Sequence, residues 1–567
     1  MPGYGRAAGV ALLGLAGLLV EAEAVVTAGL SRFSLIGLPD AGLSEARDRV
    51  RAAVINSSIP WPQAALTVSL APASLRKQGS SFDLAIAMAV LRADGKVRPE
   101  ASGEPVYFAE LGLDGSVRPV RGVLPAALAA VKAGYSAVCV AEANAREAAQ
   151  IGGLRVVGVR TLRQAVAHAN GEPVPEDPPP SDEPHLRPTG ASSPSDAAAG
   201  PLSSKASASL AGPASSAALG STSSTSLVSA SASAFASAVR AEPDLADVLG
   251  QYEARLALEV SATGGHHLFL CGAPGSGKTM LAERLPGLLP PLDEEAALEV
   301  TAVHSLAGTL NPLEPLVTEP PFCAVHHSAT AAALVGGGSS VLRPGAVSRA
   351  HRGVLFLDEA PEFGRAALDS LREPIESGEV VIARSCGMAA FPARFLLVAA
   401  ANPCPCGRSM STMGVCTCSP RARSAYLGRI SGPLLDRIDL RVDVSPVGPS
   451  ELLAAASGGQ SGESTALVAE RVRQARERAS ARLTGTPWQL NAQVPARYSR
   501  ANWPLGNEAL AGAEKALHSG VLTARGLDRV VRVAWTLADL SGRDRPSRVE
   551  VDTALGFRLA AMLPGNL

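Results

Sequence analysis

The sequence predicts an α/β protein built in sections, and three observations predict it. Strand-like and helix-like runs alternate over residues 1–170 and again over 241–448. Within the second section, a glycine-rich loop and a pair of acids each follow a short apolar run. From 449 to 567 only helical periodicity remains. At 567 residues the chain is long enough for two to four domains. Its net charge of −1 gives no whole-chain signature of nucleic-acid binding, although it leaves a local basic face open. Aromatic residues at 4% weigh against base stacking as the main binding device.

The N-terminal run "AAGVALLGLAGLLV" (7–20) imitates a signal peptide, but it follows a single Arg and no Lys. Regular alternation continues behind it in "EAEAVVTAGL" and "RFSLIGLP", which predicts a buried strand of a cytoplasmic protein. No other apolar run approaches the ~20 residues of a membrane span. Further strands are expected at "AALTVSLAP", "YSAVCVAE" and "LRVVGV". Helices are expected at "SEARDRVRAAVINS", "SFDLAIAMAVLRA" and "VLPAALAAVKAG". Residues 1–170 thus form one α/β or α+β domain. Residues 171–240 pass from a Pro-rich acidic stretch into Ser, Ala and Gly, a composition with little to bury, and read as a flexible linker.

In the next section "HHLFLCGAPGSGKTMLAERL" fits G-x-x-x-x-G-K-[ST]. Gly272, Ala273, Pro274, Gly275, Ser276 and Gly277 supply backbone N–H groups that can curl around phosphates. Lys278 neutralises the phosphate oxygens, Thr279 ligates Mg²⁺, and Met280 continues into the helix. "GVLFLDEAPEF" (353–363) brings Asp358 and Glu359 to a strand tip. Asp358 suits the Mg²⁺ shell and Glu359 suits polarising the attacking water. "FLLVAAANP" (395–403) is a third apolar strand, with Asn402 at its tip to orient that water.

These stretches resemble the AAA+ ATPases. Together with "HHSATAAALVGGGSSVLRPGAVSRAHRG", "LREPIESGEVVIARS" and "GRISGPLLDRIDLRVDV", they resemble the Mg-chelatase-like branch, specifically the ComM/YifB group, over nearly the whole chain except the linker. The resemblance implies an AAA+ core over 241–448 and a C-terminal helical lid over 449–567. It implies that Gly250 and Gln251 of "VLGQ" approach the adenine of ATP and that Asn402 is sensor 1. "LLDRIDL" is similar to the stretch that supplies the arginine finger, here Arg437 with Arg429 as the alternative, and "TARGLDRVVR" implies Arg525 as sensor 2. A finger supplied in trans implies a homo-hexameric ring. Family membership further implies a helicase or branch-migration activity on single-stranded, forked or four-way DNA in natural transformation. Two alternatives are a chelatase-type ATPase that remodels a protein partner and an ATPase coupled to proteolysis. The family's hairpin before sensor 1 is expected over 376–395, with Arg384 and Arg394 near phosphates. Residues 1–170 are similar to the Lon-protease/ribosomal-S5-like fold, with Ser81 at the nucleophile position. Leu124, however, stands where the dyad lysine is expected, so this domain reads as proteolytically inactive.

Four of the eight cysteines crowd into "NPCPCGRSMSTMGVCTCSP" as two C-x-C pairs. Cys404, Cys406, Cys416 and Cys418 read as a structural Zn²⁺ site, with Gly407 and Gly414 giving turning freedom; free thiols and a redox switch are the alternatives. His326 and His327 are adjacent, which on a strand points them to opposite faces, and no nearby Cys or carboxylate completes a site, which favours a structural or nucleotide-sensing role over metal.

Overall fold

The computed structural model describes residues 3–37, 45–73, 77, 79–98, 103–176, 243–338, 342–384, 387–410, 415–448, 453 and 462–560. The expected linker over 171–240 lies outside the described residues beyond 176, as does Gly414.

The first apolar run folds as two strands rather than one. Gly3–Leu13 (β1) and Ala16–Thr27 (β2) pair as an antiparallel hairpin that turns at Gly14, whose φ of +65° a residue without a Cβ adopts freely. Along β2, Val20, Ala22 and Ala24 are buried while Glu21 and Glu23 point the other way, the period of two that excludes a helix. Strands Arg32–Ile36 (β3), Ala65–Ala71 (β4), Val106–Phe108 (β5), Ala137–Ala141 (β6) and Arg155–Val159 (β7) complete a mixed sheet in the order β3-β4-β2-β1-β5-β6-β7.

Helices Ala46–Asn56 (α1), Asp83–Ala93 (α2), Val123–Lys132 (α3), Glu142–Ala148 (α4) and Leu162–Asn170 (α5) cover this sheet. Successive residues of β1 serve opposite faces. Ala7 and Ala11 pack with α2, whereas Ala8 and Val10 pack with α3. Every residue of α2 is buried, as its nearly unbroken apolar sequence requires.

The second section centres on five parallel strands: Leu268–Gly272 (β8), Phe322–Val325 (β9), Val354–Leu357 (β10), Leu396–Ala401 (β13) and Leu440–Val444 (β14). A separate hairpin of Glu379–Arg384 (β11) and Gly387–Pro392 (β12) precedes β13. Spatial order is β9-β10-β13-β8-β14, with every neighbour parallel. All residues of β8, β10 and β13 are buried, which explains why these strands read as continuous apolar runs. The helices here include Tyr252–Gly264 (α6), Lys278–Arg284 (α7), Glu294–Ala307 (α8) and Pro420–Leu427 (α9). Helices Thr465–Leu483 (α10), Asn507–His518 (α11), Ala524–Leu540 (α12) and Arg548–Leu559 (α13) make up the C-terminal part.

One face of the five-stranded sheet packs on α6, α10, α12 and α13. The other face packs on the β11–β12 hairpin, and Leu12, Leu13 and Leu15 from the tip of the β1–β2 hairpin join that cluster. The N-terminal domain also meets the core through Glu147 of α4, which accepts hydrogen bonds from Ser305 Oγ on α8 and from the Leu124 N–H at 2.8 Å. Leu124 itself is fully buried. Among the described residues, no helix is long and apolar enough to cross a membrane.

Candidate nucleotide site and cysteine cluster

Parallel strands deliver their C-terminal ends to one edge of the sheet, and the candidate residues gather there. Gly272 closes β8; a Cβ on it would lie 2.4 Å from Val444 O and 2.6 Å from Ser276 Oγ. Gly275 and Gly277 sit at φ +75° and +92°, so the loop needs residues free of the left-handed penalty. Lys278 begins α7 and is 8% exposed. Its Nζ donates to Gly272 O at 2.8 Å, Ala273 O at 2.9 Å and Asn402 Oδ1 at 3.3 Å. All three acceptors are neutral, so the ammonium lacks a contacting anion. Burial holds it below the usual lysine range, against the opposing charge of Asp358. A buried cation at a helix start behind a glycine loop is a place for phosphate.

Thr279 Oγ1 donates to Asp358 Oδ2 at 3.2 Å. A hydroxyl and a carboxylate side by side suit a hard cation that keeps several of its waters, such as Mg²⁺. Asp358 Oδ1 accepts the Glu359 N–H at 2.9 Å, which fixes the turn after β10 with Glu359 at φ +51°. Gly250 and Gln251 both have positive φ, and Gln251 Nε2 donates to Ser445 O and, at 3.3 Å, to Ser276 O. Gln251 therefore ties the segment before α6 to the glycine loop. Beside Gly250 lies a cleft of about 460 Å³, lined by Leu245, Val248, Leu256 and Val468, with Tyr252 and Arg471 at its margin.

The structure gathers candidate residues at one sheet edge as hydrogen-bonded pairs, Gln251 with Ser276, Lys278 with Asn402 and Thr279 with Asp358, and Glu359 joins the last through Asp358. Arg437 and Arg525 stand apart from that group within one chain. Arg437 is paired with Glu376, donates to Pro433 O at 2.7 Å, and has a side chain only 17% exposed. Arg429, the alternative, is 54% exposed and pairs with Glu362 at 2.8 Å. Arg525 is exposed on the first turn of α12, next to the capping Thr523.

Two relationships escaped the sequence reading. His326 and His327 follow β9 rather than lying within it, and their rings meet at a 35° tilt with centroids 4.0 Å apart. The expectation that no carboxylate stands near them fails in space, because His327 Nδ1 lies 3.1 Å from Glu359 Oε2. The second is the buried junction between core and C-terminal helices. Asp439 meets His266 Nδ1 at 2.8 Å and the guanidinium of Arg529, while His266 Nε2 meets Thr536 Oγ1 at 2.8 Å. Burial alone would raise the Asp439 carboxyl, but Arg529 and His266 hold it well below the usual carboxylate range. Arg558 on α13 donates to Ile438 O at 2.7 Å and to Asp436 at 3.2 Å, on either side of Arg437.

The four clustered cysteines converge. The sulfur of Cys404 lies 3.4 Å from that of Cys406 and 3.7 Å from that of Cys416; Cys406 and Cys416 are 3.7 Å apart. With Cys418 the four sulfurs all fall within 4.8 Å of one another. Tetrahedral Zn–S bonds of ~2.3 Å demand sulfur–sulfur edges of about 3.8 Å, so the donor set fits such an ion.

The chain matches family models along most of its length. "Subunit ChlI of Mg-chelatase" covers residues 22–144, "Magnesium chelatase, subunit ChlI" covers 244–452, and its C-terminal model covers 462–558. An uncharacterised protein of Mycobacterium tuberculosis is 47% identical over 98% of both chains. The uncharacterised protein YifB of Escherichia coli is 36% identical over 97% of this chain and 96% of its own. The competence protein ComM of Haemophilus influenzae is 36% identical over 99% of this chain and 97% of its own.

Proposed function

This chain belongs to the ComM/YifB group of the magnesium-chelatase (ChlI) family of AAA+ ATPases, and from that membership we propose that it is an ATP-driven ring motor acting on DNA. The observation that carries the reading is the near-complete alignment with a competence protein, N-terminal domain included. Two magnesium-chelatase subunits, by contrast, align with only 30% and 28% of this chain. The proposed work is helicase or branch migration during recombination of incoming DNA.

This reading gives each residue one task. Lys278 and the glycine-loop N–H groups hold the phosphates of ATP. Thr279 and Asp358 would hold Mg²⁺, which supplies charge neutralisation between phosphate oxygens. Glu359 takes the proton of the attacking water, and Asn402 orients that water while touching Lys278. Arg437 acts on the neighbouring subunit's phosphate, which makes a hexameric ring the working unit, and Arg525 acts from the C-terminal lid. The cleft beside Gly250 is the place for the base. The N-terminal domain engages partner or substrate without proteolysis, since Leu124 is a core residue held by Glu147. Cys404, Cys406, Cys416 and Cys418 hold one structural Zn²⁺. The deciding experiment is ATPase rate and strand displacement with forked and four-way DNA against no DNA. Stimulation by either DNA with displacement supports the motor; hydrolysis indifferent to every DNA tested rejects it.

A further inference from the structure

The cysteine cluster and the glycine loop touch. Gly407, inside the cluster, sits at φ +72° with its N–H donated to Cys404 O at 2.9 Å. A Cβ built there would lie 2.6 Å from both Cδ and Cγ of Pro274, inside the glycine loop. Only a residue with no side chain lets the two loops come this close. The contact is one of three. Asn402, just before the cluster, reaches Lys278 at 3.3 Å. Ala401, at the end of β13, pairs in the sheet with Cys271 of β8. The segment 401–407 therefore starts beside Cys271 and meets the glycine loop again at Pro274.

We propose that the metal-bound cysteine loop is the seat of the phosphate-binding loop, and that Gly407 is the positioning residue through which metal occupancy sets nucleotide affinity. The argument rests on the nucleotide reading above and adds a coupling to it. A short loop with four thiols has little apolar surface of its own, so its rigidity comes from the ion. The Pro274 ring, fixed in φ and without an N–H, is a stiff surface to rest on that seat. With the seat fixed, the glycine-loop N–H groups are already aimed when the phosphates arrive. With the seat loose, nucleotide binding must order both loops. Coupling of this kind is reciprocal, so bound nucleotide must also tighten the binding of the metal.

The test uses full-length zinc-loaded protein, a fluorescent ATP analogue with Mg²⁺, and a coloured zinc chelator. Gly407→Ala is expected to keep its zinc and bind the analogue at least about tenfold more weakly. Measured in a Pro274→Ala background, the same substitution is expected to cost little, because the ring it strikes is gone. The left-handed penalty of alanine at 407 is common to both arms and cancels. An equal loss in both backgrounds, or no loss in either, overturns the proposal. If Gly407→Ala does not fold, the unmutated protein still decides it. Zinc affinity, titrated to equilibrium against the chelator, is expected to rise several-fold with the analogue bound, and one affinity with and without it overturns the coupling. Unmutated protein that binds no analogue at all points instead to failure of the nucleotide assignment.

Discussion

Nδ1 of His327 lies 3.1 Å from Oε2 of Glu359, so the acid assigned to the attacking water is held by an imidazole. Both side chains are substantially exposed, at 36% and 47%, so neither is locked into the pairing by burial. His327→Ala is expected to raise DNA-independent ATP hydrolysis several-fold and to shrink the stimulation by DNA. His327→Asn, which keeps a donor, is expected to behave more like the unmutated protein. Steady-state hydrolysis with and without DNA measures both; a fall in the alanine variant's basal rate would instead assign His327 to supporting the base.

Glu359→Gln removes the base and leaves the phosphate contacts of Lys278 in place. Turnover is expected to drop by about 10²–10⁴-fold with ATP still bound, so the assembled ring is trapped. Lys278→Ala is expected to lose the binding itself. Analogue titration beside a hydrolysis assay separates the two.

Arg437 is held by Glu376 in its own chain, and the role in trans proposed for it requires that pair to open. Arg437→Ala is expected to bind nucleotide and lose about 10³-fold or more of turnover. Mixed with unmutated protein it should poison rings out of proportion to its share. A mixing curve that stays linear rejects the role in trans.

Protein purified without chelators or a metal-affinity column is expected to carry about one zinc per chain. Cys416→Ser should lower that content and open the loop to proteases, which elemental analysis and limited proteolysis read directly.

Asp439 is 3% exposed, and Arg529 is one of its two charge partners. Arg529→Ala leaves the carboxylate buried beside His266 alone and is expected to destabilise the core–lid junction by about 3–5 kcal/mol. The sign in pH follows from the depressed folded pKa. The contribution is present above the ordinary carboxylate value of ~3.9 and is lost as pH falls through the lower folded value. Thermal unfolding of the variant should therefore converge with that of the unmutated protein only at strongly acid pH.

The parts legible in sequence are those where local pattern and burial agree. Leu268–Cys271, Val354–Leu357 and Leu396–Ala401 are apolar throughout because helices or the β11–β12 hairpin cover both faces of their sheet. The residues after them needed only strand direction to converge. Gly3–Thr27 was harder, since the turn at Gly14 and Leu15 is apolar and carries no polar punctuation. Leu12, Leu13 and Leu15 are apolar because they enter another domain's core, which no local pattern announces. His327 reaches Glu359 from the strand beside β10, and Gly407 reaches Pro274 across more than a hundred residues. Such contacts depend on strand order, which periodicity does not encode.

Strand order has a further consequence during synthesis. The N-terminal sheet has its last strand by Val159 and can close early. β8 is complete at Gly272, but its two neighbours end at Ala401 and Val444. At roughly 5–20 residues per second, a ribosome leaves "LFLCG" without either flanking strand for on the order of 10 s and fully paired only after about 10–30 s. Through that interval the emerging chain displays an unpaired apolar strand carrying a glycine loop that nothing yet supports. The chain's exposure to chaperones and aggregation is thus concentrated between these two points in translation.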